Sequence, residues 1–365
     1  MSQPRPVASD DASRKVLVTG FPIFLARRLI RELVAGGDEV WILTRDKFHP
    51  EADQFAARLN AEFGAGTTQR VHCLVGDILC IDLGLTGDQV RALHDEIEEV
   101  HHMAAIQYLG LEGAKMRAVN IDGLREVLEF CLGIRRLRRL CHWSTAFVAG
   151  ARSGTVHEHE LMVGQRFRNG YEETKAAAEV LARHAMDKLP ITVVRPPIIV
   201  GDAESGEIQR FDGPYLLMNA IVNAPANVAV PLPGRGRYPL HVVPADYAVR
   251  AGCYLARHPA TESGTFHLVD PHPLTARQFF DAVADAAGRP RPQVFLPGGF
   301  ARAVLKLPGL GRLARQERTF LEWFDTDIRF DNREAARLLD ASGLTCPPVP
   351  AYVDVLVRFL REFTR

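Results

Sequence analysis

The sequence predicts a doubly wound α/β fold: a parallel sheet covered by helices on both faces, with a smaller C-terminal lobe. Three observations predict it. From Lys15 to about Val200, short continuous apolar runs alternate with helix-length amphipathic segments, as expected of strands buried on both faces. The first run, KVLVTG, ends in a glycine and leads straight into an apolar-periodic helix, the layout of a phosphate-binding turn. After Gly201 the alternation breaks into loop-rich stretches and later helices, which reads as a lobe over the sheet's edge.

Taken in order, residues 1–14 (MSQPRPVASDDASR) read as a disordered tail, lacking the apolar centre of a signal peptide. KVLVTG is the first strand, and the helix behind it runs to Ala35, where Gly36 and Gly37 stop it. EVWILTR and RVHCLVGDI are the second and third strands; EEVHHMAAI, RLCHWSTAFVAG and PITVVRPPIIVG are the fourth to sixth. Helices are expected at Gln89–Glu98, Gly113–Cys131 and Tyr171–Lys188. Past two loop-rich stretches, LHVVPADYAVRAGCYLARHP and GTFHLVD return to helix and strand patterns, and further helices are expected at Ala276–Ala287, Ala335–Ala341 and Tyr352–Phe363. The expected division is a Rossmann-type nucleotide-binding domain over 15–200, rejoined by 240–270, and a substrate-binding lobe over 201–239 and 271–365.

Composition excludes several functions. The 365 residues carry 44 Lys+Arg and 44 Asp+Glu, so no net field favours nucleic acid. Six scattered cysteines without a C-x-x-C pair argue against a disulfide frame or zinc site and suit the cytoplasm. No apolar stretch reaches the roughly 18 residues that span a bilayer. VHEHE sets His157 and His159 beside Glu158 and Glu160 at poor metal spacing; it reads as a solvated loop, and no metal is expected. Residues 298–324 mix Leu, Phe and Arg amphipathically and read as lobe packing, a cover for a greasy channel and membrane contact being the alternatives.

The chemistry concentrates in STAFVAG…NGYEETKAAAEVLARHA. Tyr171 and Lys175 are four apart at a helix start, so they share a face, and Thr145 ends a strand 26 residues earlier. Hydride transfer to a carbonyl needs a proton donor, and a phenol donates poorly at neutral pH unless a cation lowers its pKa. A lysine one turn away supplies that cation, and a strand-end hydroxyl holds the substrate oxygen. Tyr-x-x-x-Lys also occurs by chance on exposed helices; its place after the Thr145 strand sets it apart.

The turn is unusual. The three glycines of a dinucleotide fingerprint serve the tight turn, the backbone approach to pyrophosphate and helix–strand packing. Gly20 keeps the first duty, Ala26 is an allowed third residue, and Ile23 replaces the second glycine. Pro22 is tolerable at a helix start, where free N–H groups and the positive dipole end still favour phosphate. A shifted or weaker pyrophosphate contact is expected. At the end of the second strand, ILTRDKF, an acid would grip a ribose 2′-hydroxyl; Arg45, with Lys47 close by, suits a 2′-phosphate instead. NADPH is expected over NADH.

The segments VTGF, ILTR, GDI…LGL, HHMAA, VNIDG, STAFVAG, YEETK and RPPIIVGD, in this order over about two-thirds of the chain, resemble an extended short-chain dehydrogenase/reductase. They are most similar to the branch of fatty acyl-CoA reductases (male sterility proteins) and thioester reductase domains of carrier-protein assembly lines. The resemblance implies that Tyr171 is the general acid, with Lys175 its partner and holder of the nicotinamide ribose. Thr145 binds the substrate oxygen, Ser144 being the weaker candidate. Asn120 positions a proton-relay water, or else is a solvated helix asparagine. Asp77, with Ile78 beside it, contacts adenine, or Asp77 only caps a turn. Thr19, Gly20, Pro22, Ile23 and Phe24 form the turn around the cofactor. Ala104 and Ala105 line the strand end beside it, or only pack the core. Pro196 and Pro197 shape the nicotinamide pocket.

The function implied is NADPH-dependent reduction of a hydrophobic carbonyl substrate, an acyl thioester on coenzyme A or an acyl carrier protein, to an aldehyde or alcohol. A homodimer through the Gly113–Cys131 and Tyr171–Lys188 helices accompanies it. A ketoreductase or hydroxysteroid-dehydrogenase-like enzyme would use the same Tyr171, Lys175 and Thr145. Ile23 suggests a third reading, a non-catalytic binding or regulatory protein, against which the proton-donor set argues.

Overall fold

A computed structural model describes residues 13–64, 69–107, 113–296 and 326–364. The strands are β1 (Lys15–Thr19), β2 (Glu39–Thr44), β3 (Val71–Val75), β4 (Glu99–His102), β5 (Arg139–Trp143), β6 (Gly154–Val156), β7 (Ile191–Arg195), β8 (Ile198–Val200), β9 (Leu232–Pro233), β10 (Val242–Pro244), β11 (Thr265–His267), β12 (Phe295–Leu296) and β13 (Ile328–Phe330). The α-helices are α1 (Phe24–Ala35), α2 (His49–Phe63), α3 (Gly87–Glu96), α4 (Gly113–Arg117), α5 (Gly123–Gly133), α6 (Gly170–His184), α7 (Pro214–Val222), α8 (Ala245–Arg257), α9 (Ala276–Ala287), α10 (Arg333–Asp340) and α11 (Val353–Thr364).

Seven strands form one parallel sheet in the order β11-β7-β5-β4-β1-β2-β3. The order reverses between β1 and β4, and a ligand crevice lies outside the carboxyl ends of strands at such a switch point. Successive strand residues point to opposite faces, which divides the apolar strand residues between two cores. Val16, Val18 and Cys141 pack with α1 and α8, while Leu17, Val100 and Leu140 pack with α5 and α6. A third core gathers α7, α9 and α11 with β10 as the C-terminal lobe.

The structure differs from the sequence reading in three places. Arg14, assigned to the tail, is buried and ion-paired to Glu99 at 3.0 Å, its backbone N–H bonded to Asp38 at 3.0 Å. Helix α10, assigned to the lobe, packs Ala335, Leu338 and Leu339 into the main core, because its apolar face meets α8. The expected helix Gly113–Cys131 contains a π-helical turn over Ala118–Asp122, between α4 and α5, and such turns cluster at functional sites. Residues 298–324 lie outside the described residues.

Candidate active site

A cavity of about 540 Å³ opens at the carboxyl ends of β4, β5 and β7. It reaches from Ile23, Phe24 and Leu25 in the turn to Thr145, Tyr171 and Lys175. Gly20 makes the turn possible. Its φ is +101°, and a Cβ there would stand 2.7 Å from the Ala104 nitrogen and the Met103 carbonyl carbon. A 2.9 Å bond from Ile23 N–H to the Gly20 carbonyl closes it, with a cis Phe21–Pro22 bond inside. The first helical bond of α1 runs from Arg27 N–H to the Ile23 carbonyl. The N–H groups of Phe24, Leu25 and Ala26 therefore precede any i→i−4 partner, and such groups suit an anion. Ile23 is half-buried, with φ −57°, and part of its side chain packs on the main core. Thr19 is buried, its hydroxyl bonded to His102 Nδ1 at 3.0 Å and accepting from Ala104 N–H at 3.4 Å.

Helix α6 starts where Asn169 Oδ1 accepts the Glu172 N–H at 2.9 Å, a side-chain N-cap. The cap aims Tyr171 and Lys175 from the first turns toward the strand ends. Lys175 is buried and donates to the Trp143 carbonyl at 2.7 Å. Burial pulls its amine down to about 8, and Glu179 opposes that pull. Burial also pushes the Tyr171 phenol up to about 12, with the Thr145 hydrogen bond opposing. The expectation that Lys175 lowers the phenol is not met: the lysine is turned onto Trp143, and desolvation dominates at the tyrosine. Thr145 donates to the Pro196 carbonyl at 3.3 Å. Ser144 also borders the cavity, but its hydroxyl donates to Glu179 at 2.7 Å. Asn120 lies in the π turn and is buried, not solvated. Its Oδ1 accepts Ile106 N–H at 2.7 Å, and its Nδ2 donates to the Ile106 carbonyl at 3.2 Å and to Thr174 at 3.0 Å. It thus ties the segment after β4 to α6.

Arg45 and Lys47 are exposed at the end of β2, their cations 5.4 and 4.6 Å from the Phe48 ring centre. Asp77 Oδ1 accepts the Leu79 N–H at 3.0 Å, so its carboxylate caps the local turn. Ile78 is buried against Gly123, where a Cβ would come within 2.6 Å of its Cδ1. Ala105 lines the cavity, whereas Ala104 packs at the strand end beside Gly20. Pro196 and Pro197 line the cavity.

The VHEHE segment is not a solvated loop. Glu158 is buried and accepts the N–H groups of His267, Glu334 and Ala335 at 2.9, 2.9 and 3.2 Å. Burial pushes its carboxyl up to about 7 against those bonds. His157 pairs with Asp331 at 2.8 Å, and Glu160 with Arg152 at 3.0 Å. Among the described residues no group of three His, Cys, Asp or Glu could hold a metal ion. Sequence reasoning missed Met103 and Trp143 and the lobe wall from Ile208 to Pro214, which includes Arg210 and Asp212. Nothing in their local sequence distinguishes them from core or loop residues.

A family model described as "Male sterility protein" matches residues 18–252. Among curated proteins, glycine betaine reductase ATRR of Emericella nidulans is 26% identical over 74% of this chain and 22% of its own length. The fatty acyl-CoA reductase wat of Drosophila melanogaster is 24% identical over 65% of this chain and 52% of its own length. The chain thus spans about half or less of these relatives. The solved terminal R domain of the myxalamid PKS-NRPS biosynthetic pathway superposes with a TM-score of 0.81 at 24% identity, covering 98% of this chain and 92% of that one. Among the described residues, no helix is long and apolar enough to cross a membrane.

Proposed function

The chain belongs to the NAD-binding family described as male sterility protein, and from that premise we propose that it reduces acyl thioesters, using NADPH. One observation carries the reading: a single, largely apolar cavity joins the N-terminus of α1 to Thr145, Tyr171 and Lys175. A dinucleotide laid along it would meet the free N–H groups of Phe24, Leu25 and Ala26 at its phosphates. Arg45 and Lys47 are proposed to hold the 2′-phosphate, Lys175 the nicotinamide ribose, and the Asp77–Ile78 turn the adenine.

NADPH, when bound there, would supply a hydride for the thioester carbonyl carbon. Tyr171, protonated at neutral pH, gives its phenolic proton to the carbonyl oxygen. Thr145 Oγ1 is placed to turn from Pro196 to that oxygen and orient it. Lys175 stabilises the phenolate left behind and brings back its proton. The resulting hemithioacetal expels the thiol and leaves an aldehyde. Ile198, Ile199, Ile208 and Pro214 give the acyl chain an apolar surface. Asn120 is proposed to steady the cavity's opposite side through Ile106 and Thr174, and with them the water relay to Lys175. The relatives named as reductases support a thiol carrier, coenzyme A or an acyl carrier protein. All six cysteines are free, which suits the cytoplasm.

The test is NADPH oxidation over a panel of acyl-CoA thioesters, acyl carrier protein thioesters, aldehydes and ketones. Fastest turnover of thioesters is expected. Turnover of ketones alone would favour the ketoreductase reading. No turnover of any substrate, with no calorimetric heat from NADPH, would overturn the enzyme reading.

A further inference from the structure

The face of α6 that carries Tyr171 and Lys175 carries a third residue at the same spacing, Glu179. It is fully buried. Its carboxylate reaches both strands behind the cavity. Directly after β5, Ser144 donates at 2.7 Å, and Ser144 immediately precedes Thr145. From β7, Arg195 Nε donates to both carboxylate oxygens at 3.1 and 3.0 Å. Arg195 immediately precedes Pro196, whose carbonyl accepts from Thr145. Arg195 is itself fully buried and also donates to the carbonyls of Glu158 and Glu160 at 3.3 and 2.8 Å. Arg183, one turn along α6, adds a bond to Glu179 at 3.1 Å. Burial disfavours the ionised carboxyl, but Arg195, Arg183 and Ser144 outweigh it and hold the group below the usual carboxylate range. A buried ion cluster of this kind seldom adds net stability, so its position behind the reacting groups asks for another explanation.

We propose that Glu179 is a positioning residue of the active site: its carboxylate holds Thr145 and Lys175 in register across β5, β7 and α6, and sets an anion one helical turn from Lys175. The proposal rests on the reductase reading of Tyr171, Lys175 and Thr145.

The groups around Lys175 single out Glu179. His102 on β4 and His142 on β5 stack at 5.6 Å and are buried. Burial pulls both imidazoles down, and the charge of Lys175 adds to that, so both are neutral at physiological pH. Trp143 on β5 offers a carbonyl, and Tyr171 on α6 is a neutral phenol. Among these groups Glu179 is the anion. Its bonds to Ser144 and Arg195 place it one residue from Thr145 on one strand and from Pro196 on the other. A shift of about 1 Å in such a frame costs on the order of 10²-fold in rate.

The experiment follows the titration of Lys175 itself, independently of turnover. The chain has six lysines, so ε-13C-lysine NMR resolves Lys175, assigned by its loss in Lys175→Met. The wild-type midpoint is expected near 8. In Glu179→Gln it falls by about one unit or more, and kcat falls on the order of 10²-fold with little change in KM. Glu179→Asp keeps the charge and loses reach, and it covers the case in which the glutamine variant does not fold. Its midpoint stays near the wild type while kcat falls severalfold. Ser144→Ala likewise lowers kcat and leaves the midpoint in place. An unmoved Lys175 midpoint in Glu179→Gln, or wild-type kcat in both Ser144→Ala and Glu179→Asp, would overturn the proposal. A protein that turns over no thioester but still shows the midpoint shift would fail the reductase reading and keep the charge coupling, so the two failures are distinguishable.

Discussion

Replacing Lys175 with Met is expected to end catalysis and yet make the fold more stable. Lys175 is 4% exposed, and burial takes its amine from an ordinary value of 10.5 to about 8 against the pull of Glu179. The sign follows from proton counts. Between about 8 and 10.5 the unfolded chain binds the proton that the folded chain has released, so stability rises with pH across that window. Below 8 both states are charged, and the folded state bears the whole penalty. The gap between the two values, 10.5 minus 8 or about 2.5 pH units, sets an upper bound of about 3.4 kcal/mol. Met has the length of the lysine stem and no charge to bury, but it leaves the Trp143 carbonyl without its 2.7 Å donor, which costs about 1 kcal/mol. A net gain of about 2 kcal/mol at pH 7 is therefore expected. Urea unfolding of both proteins at neutral and alkaline pH measures it, and the variant's advantage should shrink as pH rises past 8 toward 10.5. The other buried thiols and phenols titrate equally in both proteins and cancel in the difference. A variant that is less stable at pH 7, or an advantage that does not change with pH, would refute the reasoning.

Tyr171→Phe removes the proton donor alone, so turnover should fall by about 10²–10⁴-fold while calorimetric NADPH affinity stays near the wild type; unchanged turnover removes Tyr171 from the chemistry. Arg45→Ala should weaken NADPH by about tenfold or more and leave NADH unaffected, and an equal loss for both places Arg45 away from the 2′ position. Ile23→Gly should tighten NADPH by opening the backbone to the phosphates. Because part of the Ile23 side chain packs on the main core, the same change should lower stability by about 2 kcal/mol in thermal melts.

Much of this molecule is legible locally. The strands of the sheet are short apolar runs bounded by turns, and six of the seven were placed from that signal alone, with GTFHLVD marking the seventh. That Tyr171, Lys175 and Thr145 come together at one cavity was legible because helical spacing and strand-end position are properties of neighbouring residues. What was not legible depends on distant partners. Glu158 looks solvated in VHEHE, and the N–H groups that hold it in the interior belong to His267, Glu334 and Ala335, 109, 176 and 177 residues away. The Tyr171 phenol was expected to be lowered and is raised, because burial dominates there; the Lys175 amine meanwhile bonds the Trp143 carbonyl, a contact that helical spacing does not reveal. The π turn at Ala118–Asp122 carries Asn120, whose bonds to Ile106 and Thr174 join segments 14 and 54 residues away and leave no periodic signal. The cavity wall from Ile208 to Pro214 had no periodic signal, since loop residues acquire a role only from what they close over.

The turn at Gly20 bears on how such proteins are found. Of the three fingerprint positions, only the first imposes a backbone that side chains rarely adopt, with φ at +101° and a neighbour 2.7 Å from any added carbon. The second, Ile23, has φ −57°, which every L-residue accepts. The third, Ala26, is fully buried within the main core, so volume and not backbone geometry limits it. A genome survey that demands all three glycines would discard this chain and any other that varies the second. A filter requiring one glycine, any residue three positions on and a small residue six positions on would retain them, and its extra matches could be sorted by whether a tyrosine and a lysine four apart follow a strand-end hydroxyl.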